Sequence, residues 1–227
     1  MTLAKGVPRH LFKLGCDFFP MRYVLTQCHK IILTRIHLVL KRKKPRRRLE
    51  IGSGRNRLLG FETLDITWAR NIDYVLDASK PLPFRDGTFE IVYASHVLEH
   101  IPWYKVEDTL REWTRIIKPS GRLEIWVPDG LKICKLVIDA ESGLTKIIPD
   151  DWCVRNPDKD PYLWAAGRLF WGANPSYPSW HRGLFTPRYL KLLFEKIGLT
   201  DISQLNPQDV RGYDHGWINL GMRGTKP

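Results

Sequence analysis

The sequence predicts an α/β fold with a doubly wound, mostly parallel sheet of seven strands, preceded by a basic helical arm. From residue 47 onward, apolar runs typical of strands alternate with helix-like segments, which is the pattern of βαβ units. Polar residues follow several of these runs, as they do in sheets that bind ligands at their carboxyl edge. At 227 residues, the chain is long enough for one such domain with appendages.

The excess positive charge lies at the N-terminus. Residues 1–48 contain 13 Lys/Arg and one acidic residue, whereas the rest of the chain contains 23 of each. In the arm, residues 1–46, apolar residues over 9–40 predict one or two helices, and a run with seven cations in eight residues follows at 41–48. The arm is expected either to pack on the domain as a helical cap or to contact an anionic membrane through residues 9–48. The cationic run is expected to be solvated, either as a linker or as a surface that attracts phosphate. Binding of nucleic acid, or nuclear import, is a further alternative.

The cysteine pattern predicts a reducing compartment. The four cysteines show neither the spacing of a zinc site nor that of a secreted disulfide framework (Cys16, Cys28, Cys134 and Cys153). No apolar run approaches the roughly 18 residues of a membrane span, and no signal-peptide pattern begins the chain. We therefore expect a cytoplasmic protein, with peripheral attachment at the inner membrane face if the arm binds lipid.

The strands and helices follow from the periodicity. Alternating and apolar runs predict strands at 47–51, 61–66, 73–76, 89–94 and 122–127 and an antiparallel pair near 199–205 and 215–223. Helices are predicted from His96 to about 101, over 104–117 and over 187–197, and Pro119–Gly121 predicts a turn. Residues 130–185 form an aromatic-rich insertion, which we expect on the acceptor side of the site or as a small separate core.

The loop after the first strand predicts a nucleotide site. Gly52 and Gly54 allow positive φ and a close approach of the backbone to a ligand. Asp65 ends the next apolar run, where a carboxylate accepts hydrogen bonds from ribose hydroxyls. Ten residues separate Gly54 from Asp65, so the first crossover helix is expected to be short or absent.

Polar residues follow four successive predicted strands. They are Gly52 with Gly54, then Asp65, Asp77 and Ser95 with His96. The carboxyl ends of parallel strands face a single crevice, so these residues are expected to form one nucleoside site.

The motifs in this order resemble the class I S-adenosylmethionine-dependent methyltransferases of the type-11 family. They are Leu49–Gly54, Val75–Ala78 with Pro81–Phe84, Phe89–His100 and Ile117–Leu123. The resemblance covers residues 47–130 and is closest to small members associated with polysaccharide biosynthesis. It implies a Rossmann-like fold, S-adenosylmethionine as the cofactor and S-adenosylhomocysteine as the product.

The resemblance also implies the roles of individual residues. The cofactor-binding residues would be Glu50, Gly52, Ser53, Gly54, Asp65, Ile66, Asp77, Ala78, Ser95 and His96. The loop from Glu50 to Gly54 would hold the methionine portion, and Asp65 the ribose. Asp77 would accept from the adenine amine, while Ser95 and His96 would border the methyl group. Asn56 stands in place of the usual third glycine and tolerates left-handed conformations.

Methyl transfer from a sulfonium needs in-line positioning and removal of water. A general base helps when the acceptor is a hydroxyl, and His181 and His96 are the candidates, with His100 as a third. A structural hydrogen-bonding role is open for each. His96 and His100 have the spacing of two zinc ligands, but no third ligand is evident, so we predict no metal. Glu99 is expected to tether the loop near the cofactor.

The sequence also favours an oxygen acceptor. Ala94-Ser95-His96-Val97 occupies the place where amino-methylating nucleic-acid enzymes carry an Asn/Asp-Pro-Pro-aromatic tetrad. The expected acceptor is a hydroxyl of a glycan or lipid-linked saccharide. RNA or a small metabolite as the acceptor, and a non-catalytic adaptor with this fold, remain as alternatives.

Overall fold

A seven-stranded sheet forms the centre of the molecule in a computed structural model that describes residues 32, 34–40, 45–144, 156, 158–170 and 180–227. The strands are β1 (Arg48–Ile51), β2 (Glu62–Asp65), β3 (Tyr74–Val75), β4 (Phe89–Ser95), β5 (Ile117–Pro128), β6 (Thr200–Leu205) and β7 (Asn219–Thr225). Their spatial order is β3-β2-β1-β4-β5-β7-β6. β7 is antiparallel to both of its neighbours and the other pairs are parallel, which confirms the predicted fold class.

Four helices of ten or more residues lie in the described parts of the chain. They are α1 (Val106–Arg115), α2 (Gly130–Glu141), α3 (Pro161–Phe170) and α4 (Pro187–Lys196). α1 buries the predicted apolar stripe, including Leu110 and Trp113, against the main core. Asp129 caps α2 by accepting from the backbone N–H of Leu131 at 3.0 Å. A 3₁₀ turn (Leu98–His100) replaces the helix expected after His96.

No helix connects β1 to β2, which confirms the expected loss of the first crossover helix. Arg57 fixes this loop by donating to the Phe61 carbonyl from Nε at 3.0 Å and to the Asp73 carboxylate from Nη2 at 2.9 Å. The buried Glu50 carboxylate accepts from the backbone N–H of Leu58 at 2.8 Å. Side-chain hydrogen bonds therefore do the positioning that a crossover helix does elsewhere.

The structure corrects two predicted element boundaries. The turn expected at Pro119–Gly121 is instead an irregularity within β5, where the pairing with β4 shifts register between Phe89 and Ile91. A side chain at Gly121 would approach the Glu90 carbonyl to 2.8 Å, so the strands come too close there for any other residue. β7 begins later than predicted because residues 216–218 form a 3₁₀ turn.

The insertion contains secondary structure that the sequence analysis did not predict. α2 and α3 pack on each other and share a small core with Ile218, in which Ile133 and Trp164 are fully buried. The rings of Trp164 and Trp217 stack at 5.6 Å. Residues 145–155, 157 and 171–179 of the insertion lie outside the described residues.

Part of the basic arm contacts the edge of the sheet. Residues 34–40 are helical, and the Thr34 hydroxyl accepts from the backbone N–H of Val75 in β3 at 3.1 Å. His37 Nδ1 lies 2.7 Å from the Asp73 carbonyl. The predictions for residues 1–31, 33 and 41–44 fall outside the described residues. No helix in the described parts of the chain is long and apolar enough to cross a membrane.

The end of the cationic run is not solvated as expected. Arg47 is buried and forms a bidentate salt bridge with Glu62, with Nε–Oε1 at 2.9 Å and Nη2–Oε2 at 3.0 Å. The Tyr74 hydroxyl donates to the same carboxylate at 2.6 Å. Arg47 is therefore part of the domain core rather than of a phosphate-binding surface.

Candidate active site

A cleft of about 660 Å³ opens at the carboxyl ends of β1, β2 and β4. The strand order reverses there, since β2 and β4 lie on opposite sides of β1, and ligands bind at such switch points. All of the predicted site residues line this cleft: Glu50, Gly52, Ser53, Gly54, Asp65, Ile66, Asp77, Ala78, Ser95, His96 and His181.

The glycine loop depends on two different properties of glycine. Gly52 (φ +73°) packs so closely on the loop after β4 that an added Cβ would lie 2.1 Å from Cγ2 of Val97. At Gly54 (φ +56°), an added Cβ would have no neighbouring heavy atom of the described residues within 4 Å. The first glycine is thus required by packing within the protein, and the second leaves space beside the backbone for a ligand.

Asp65 ties the first two loops of the cleft together. Its Oδ2 accepts from the backbone N–H of Gly54 at 3.0 Å, and its Oδ1 accepts from that of Thr67 at 2.7 Å. Because Leu64 pairs with Ile51, Asp65 stands at the carboxyl end of β2, beside the glycine loop. Each carboxylate oxygen has a second lone pair, so the group can also accept from ribose hydroxyls.

Glu50 supports this loop from below. Burial raises the pKa of the Glu50 carboxyl, although the Leu58 N–H and the charges of Arg57 and Arg211 act in the opposite direction. The hydrogen bond to Leu58 makes Glu50 a positioning residue for the loop that closes this side of the cleft.

Asp77, which also lines the cleft, folds back on its own loop. Its Oδ1 accepts from the backbone N–H of Ser79 at 2.9 Å and from the Ser79 hydroxyl at 2.7 Å. The carbonyl of Ala78 accepts from Trp113 Nε1 at 3.0 Å, which anchors this loop on α1. Both predicted adenine-side residues are therefore held in place by the protein.

His96 is buried, with a backbone φ of +54° that non-glycine residues seldom adopt. Its Nδ1 lies 3.1 Å from Glu99 Oε1, and its Nε2 lies 3.1 Å from Asn219 Oδ1, which also accepts from the backbone N–H of His215. Both ring nitrogens thus lie within hydrogen-bond distance of oxygens of the protein itself. Because these contacts occupy both nitrogens, they favour a positioning role for His96 over that of a general base.

Glu99 lies at the centre of a histidine cluster. Burial would raise the pKa of its carboxyl, but the hydrogen bond from His96 and the nearby rings of His100 and His181 lower that pKa to about 2. The backbone carbonyl of Glu99 accepts from the N–H groups of Arg182 at 2.6 Å and Gly183 at 3.1 Å. The end of the insertion is therefore fastened to the 3₁₀ turn after β4.

This contact brings His181 beside His100. Their ring centroids are 4.9 Å apart, although 80 residues separate them in the sequence. His181 Nδ1 lies 2.8 Å from the Arg168 carbonyl, and His100 Nδ1 lies 3.3 Å from the Trp180 carbonyl. Burial lowers the pKa of His181, so this imidazole is neutral, with its N–H on Nδ1 and its lone pair on Nε2.

A loop that the sequence analysis did not assign to the site completes the cleft. Its lining residues are Arg211, Gly212, Tyr213 and His215. His215 stacks on His96 at 3.9 Å, and burial together with the positive charges of His96 and Arg168 lowers the pKa of His215 to about 2. The Tyr93 hydroxyl accepts from the backbone N–H of Gly212 at 2.8 Å. No motif marks this loop, because its contacts are made largely by its backbone.

Residues 50–125 match the family model described as a methyltransferase domain. The match runs from the glycine loop through Asp65, Asp77 and the histidine turn to β5. No protein of curated function matches the chain.

Several solved structures are similar to the chain at low sequence identity. A methyltransferase from Archaeoglobus fulgidus that depends on S-adenosylmethionine is 16% identical, with a TM-score of 0.48 over 90% of this chain and 99% of the other. A toxoflavin-precursor N1-methyltransferase from Burkholderia thailandensis, with bound S-adenosylhomocysteine, is 17% identical, with a TM-score of 0.47 over 91% and 82%. A possible histamine N-methyltransferase from Thermotoga maritima is 18% identical, with a TM-score of 0.43 over 91% and 97%. The observed strand order, rather than these superpositions, establishes the fold.

Proposed function

Since this chain is a methyltransferase that uses S-adenosylmethionine, we propose that it methylates a hydroxyl of a glycan or lipid-linked saccharide. The observation that carries this proposal is the neutral imidazole of His181 at the acceptor end of the cleft. Its Nδ1 is held by the Arg168 carbonyl, so Nε2 is available to an acceptor hydroxyl. A neutral amine can attack the methyl group without a general base, whereas a hydroxyl becomes more nucleophilic when a general base takes its proton.

We propose that the cofactor binds with its methionine portion on the loop from Gly52 to Gly54. Asp65 would accept from the ribose hydroxyls while keeping its bonds to Gly54 and Thr67. Asp77 with Ala78 would face the adenine, and Ser95 with His96 would border the methyl group. Ile66 also lines the cleft and would lie between the ribose and the adenine of the cofactor.

In the proposed reaction, the acceptor oxygen attacks the methyl carbon in line with the carbon–sulfur bond. The carbon–oxygen bond forms as the carbon–sulfur bond breaks, and S-adenosylhomocysteine leaves. The hydroxyl proton passes to Nε2 of His181. The chain's main contribution is to align the two substrates and exclude water, because the sulfonium is already reactive.

The insertion, residues 130–185, is the proposed acceptor side, since His181 lies at its end and is fastened to the turn that carries Glu99. The helical part of the arm supports a lipid-linked acceptor. Val39 and Leu40 are 72% and 69% exposed, and the cationic run begins directly after them. Apolar side chains beside cations are the arrangement by which a helix lies on an anionic membrane.

The test of the reaction is transfer of a labelled methyl group from S-adenosylmethionine to a panel of saccharides, small metabolites and RNA. We expect methylation of a saccharide hydroxyl. The rate should be at least tenfold lower for His181→Ala, because loss of a general base typically lowers a rate by about 100-fold or more. His37→Ala, on the arm, is the control histidine. Methylation of RNA or a small metabolite alone would replace the saccharide proposal. Cofactor binding without any transfer would favour the adaptor.

The membrane contact is tested separately by flotation of the full chain with vesicles. Binding to vesicles that contain phosphatidylglycerol, reduced by Val39→Asp and absent with pure phosphatidylcholine, is the expected result. RNA binding that falls steeply with salt, without binding to vesicles, would instead assign the arm to nucleic acid.

A further inference from the structure

Three potential metal ligands meet at the acceptor end of the cleft. One nitrogen each from His100 and His181 and one carboxylate oxygen of Glu99 all lie within 4.8 Å of one another. Among the described residues, this is the single group of three such side chains. His96 and His100 have the spacing of two zinc ligands, but the sequence does not indicate a third ligand, because His181 follows 81 residues after His100.

The hydrogen bonds of both histidines leave the same nitrogen available. A backbone carbonyl can only accept, so Nδ1 donates in each ring: to the Arg168 carbonyl from His181 and to the Trp180 carbonyl from His100. In the neutral form of each ring, Nε2 therefore carries the lone pair. Histidines that bind metals almost always donate their other N–H in this way, which fixes the tautomer and the orientation of the ring.

Glu99 supplies the second, independent observation. The residue is 1% exposed, and its Oε1 accepts from His96 at 3.1 Å. Its Oε2 is buried and has no hydrogen-bond partner among the residues that the structure describes. An unsatisfied buried carboxylate oxygen costs free energy, so its presence beside His100 and His181 favours a cation as its partner.

We propose that Glu99 Oε2 and the Nε2 atoms of His100 and His181 bind a divalent transition-metal ion. Two imidazoles and one carboxylate form the ligand set of catalytic zinc sites and suit zinc-like ions better than magnesium or calcium. With metal–ligand bonds of roughly 2.0–2.2 Å, the three ligand atoms would lie closer to one another than the 4.8 Å limit within which they are grouped. The main-chain bonds from Arg182 and Gly183 to Glu99 hold the two segments in place for this.

The metal would activate the acceptor, a step that rests on the proposed function. Three protein ligands leave coordination positions open to one or two acceptor oxygens, such as neighbouring hydroxyls of a sugar. The bound hydroxyl loses its proton to water more readily, because a metal lowers the pKa of an oxygen that it binds. That oxygen then attacks the methyl carbon. With the metal bound, His181 holds the ion, and water takes the proton that Nε2 of His181 would accept in the absence of the metal.

Metal binding is tested without any substrate. The full chain is stripped with a chelator, and Zn²⁺ and Mg²⁺ are titrated in separate calorimetric experiments, with Co²⁺ as a spectroscopic probe. We expect one Zn²⁺ per chain, a visible Co²⁺ spectrum with nitrogen ligands, and much weaker binding of Mg²⁺. His100→Ala is the main variant, because His100 is only partly buried and its loss should leave the fold intact.

We expect His100→Ala and Glu99→Gln to weaken Zn²⁺ binding more than about 100-fold, above the range for loss of an outer-shell partner. His37→Ala should bind like the wild type. Unchanged binding of S-adenosylhomocysteine and an unchanged melting temperature would show that His100→Ala is folded. Zn²⁺ affinity that is the same in wild type and His100→Ala would overturn the site.

The reaction assay separates this proposal from the function on which it rests. Zn²⁺ binding that depends on His100, without transfer to any saccharide, would leave the metal site standing and reject the saccharide acceptor. Saccharide methylation that is undiminished in the chelated protein would reject activation by the metal and leave the proposed function standing.

Discussion

The backbone N–H of Gly54 donates to Asp65 Oδ2 at 3.0 Å, so the loop after β1 and the end of β2 are joined directly at the cleft. In the absence of a crossover helix, this bond sets the spacing between the two loops, and the local bond from the Thr67 N–H to the same carboxylate fixes the Asp65 side chain. Asp65 therefore has two roles in this chain, since it shapes the loop and is the proposed ribose acceptor.

Asp65→Ala is expected to weaken binding of S-adenosylhomocysteine by roughly 10- to 150-fold, since hydrogen bonds to a charged group contribute about 1.5–3 kcal/mol. Isothermal titration calorimetry measures this change. Asp108→Ala, an exposed aspartate on α1, is the matched control and should bind like the wild type. Equal affinity of the Asp65 variant and the wild type would remove Asp65 from the cofactor site.

Gly52→Ala and Gly54→Ala form a matched pair. Both residues have positive φ, which alone costs a non-glycine residue about 1–2 kcal/mol, but only the Cβ at position 52 would clash, at 2.1 Å from Val97. We expect Gly52→Ala to be the more destabilising by a further 1–3 kcal/mol or so, the usual cost of overpacking. Urea denaturation of both variants gives the comparison.

The clash can be separated from the backbone strain by adding Val97→Ala to Gly52→Ala. The double variant should recover the steric part of the loss and retain the part due to φ. A double variant no more stable than Gly52→Ala alone would show that the approach to Val97 is not the cause.

Arg47→Met should lower the free energy of unfolding by about 3–5 kcal/mol, because it leaves the buried Glu62 carboxylate without its charge partner. Adding Glu62→Gln removes that charge and should restore part of the loss. Lys135→Met, in an exposed pair with Asp139, is the control and should change stability by less than about 1 kcal/mol. Guanidinium denaturation that gives similar losses for both single variants would contradict the buried role of Arg47.

Glu112 should contribute to the acid sensitivity of the fold. The hydrogen bond from Arg115 lowers the pKa of the Glu112 carboxyl, against the effect of burial, and the Leu82 N–H acts in the same direction as Arg115. Because the folded-state pKa lies below the ordinary value of 4.5, this stability is present above that value and is lost as the pH falls through the folded pKa.

Melting temperatures of wild type and Glu112→Gln between pH 7 and pH 3 test this expectation. The wild type should lose its advantage over the variant as the pH falls below about 4.5. A difference that is constant across the range would show that ionisation of Glu112 does not contribute.

The sheet was predictable because its strands are short apolar runs with a distinctive loop after each. Loop length also predicted correctly that no full helix joins β1 to β2. The turn predicted at Pro119–Gly121 was wrong, since Pro and Gly also occur at strand irregularities. Periodicity did not reveal α3, a ten-residue helix that buries Trp164 and Ala165 in a separate small core but leaves Leu163 and Phe170 exposed.

The sequence predicted the residues of the candidate site that belong to a single loop motif. It did not predict the contacts between residues that lie far apart in the chain. His96 and His100 have helical spacing, but the chain between them forms a 3₁₀ turn, and His96 adopts positive φ before it begins. His96 therefore pairs with Glu99 and Asn219, while His100 faces His181. Only the tertiary fold determines these pairings.

The insertion is attached to the turn after β4 through main-chain atoms, since the Glu99 carbonyl accepts from two successive N–H groups. Such an attachment is independent of which side chains the insertion carries elsewhere. The residues of the insertion that are proposed to face the acceptor can therefore be exchanged, while His181 keeps its place at the cleft. The two N–H groups belong to Arg182 and Gly183, and Gly183 has no side chain to vary. A library that varies the insertion but preserves Gly183 is therefore the natural starting point for changing the acceptor.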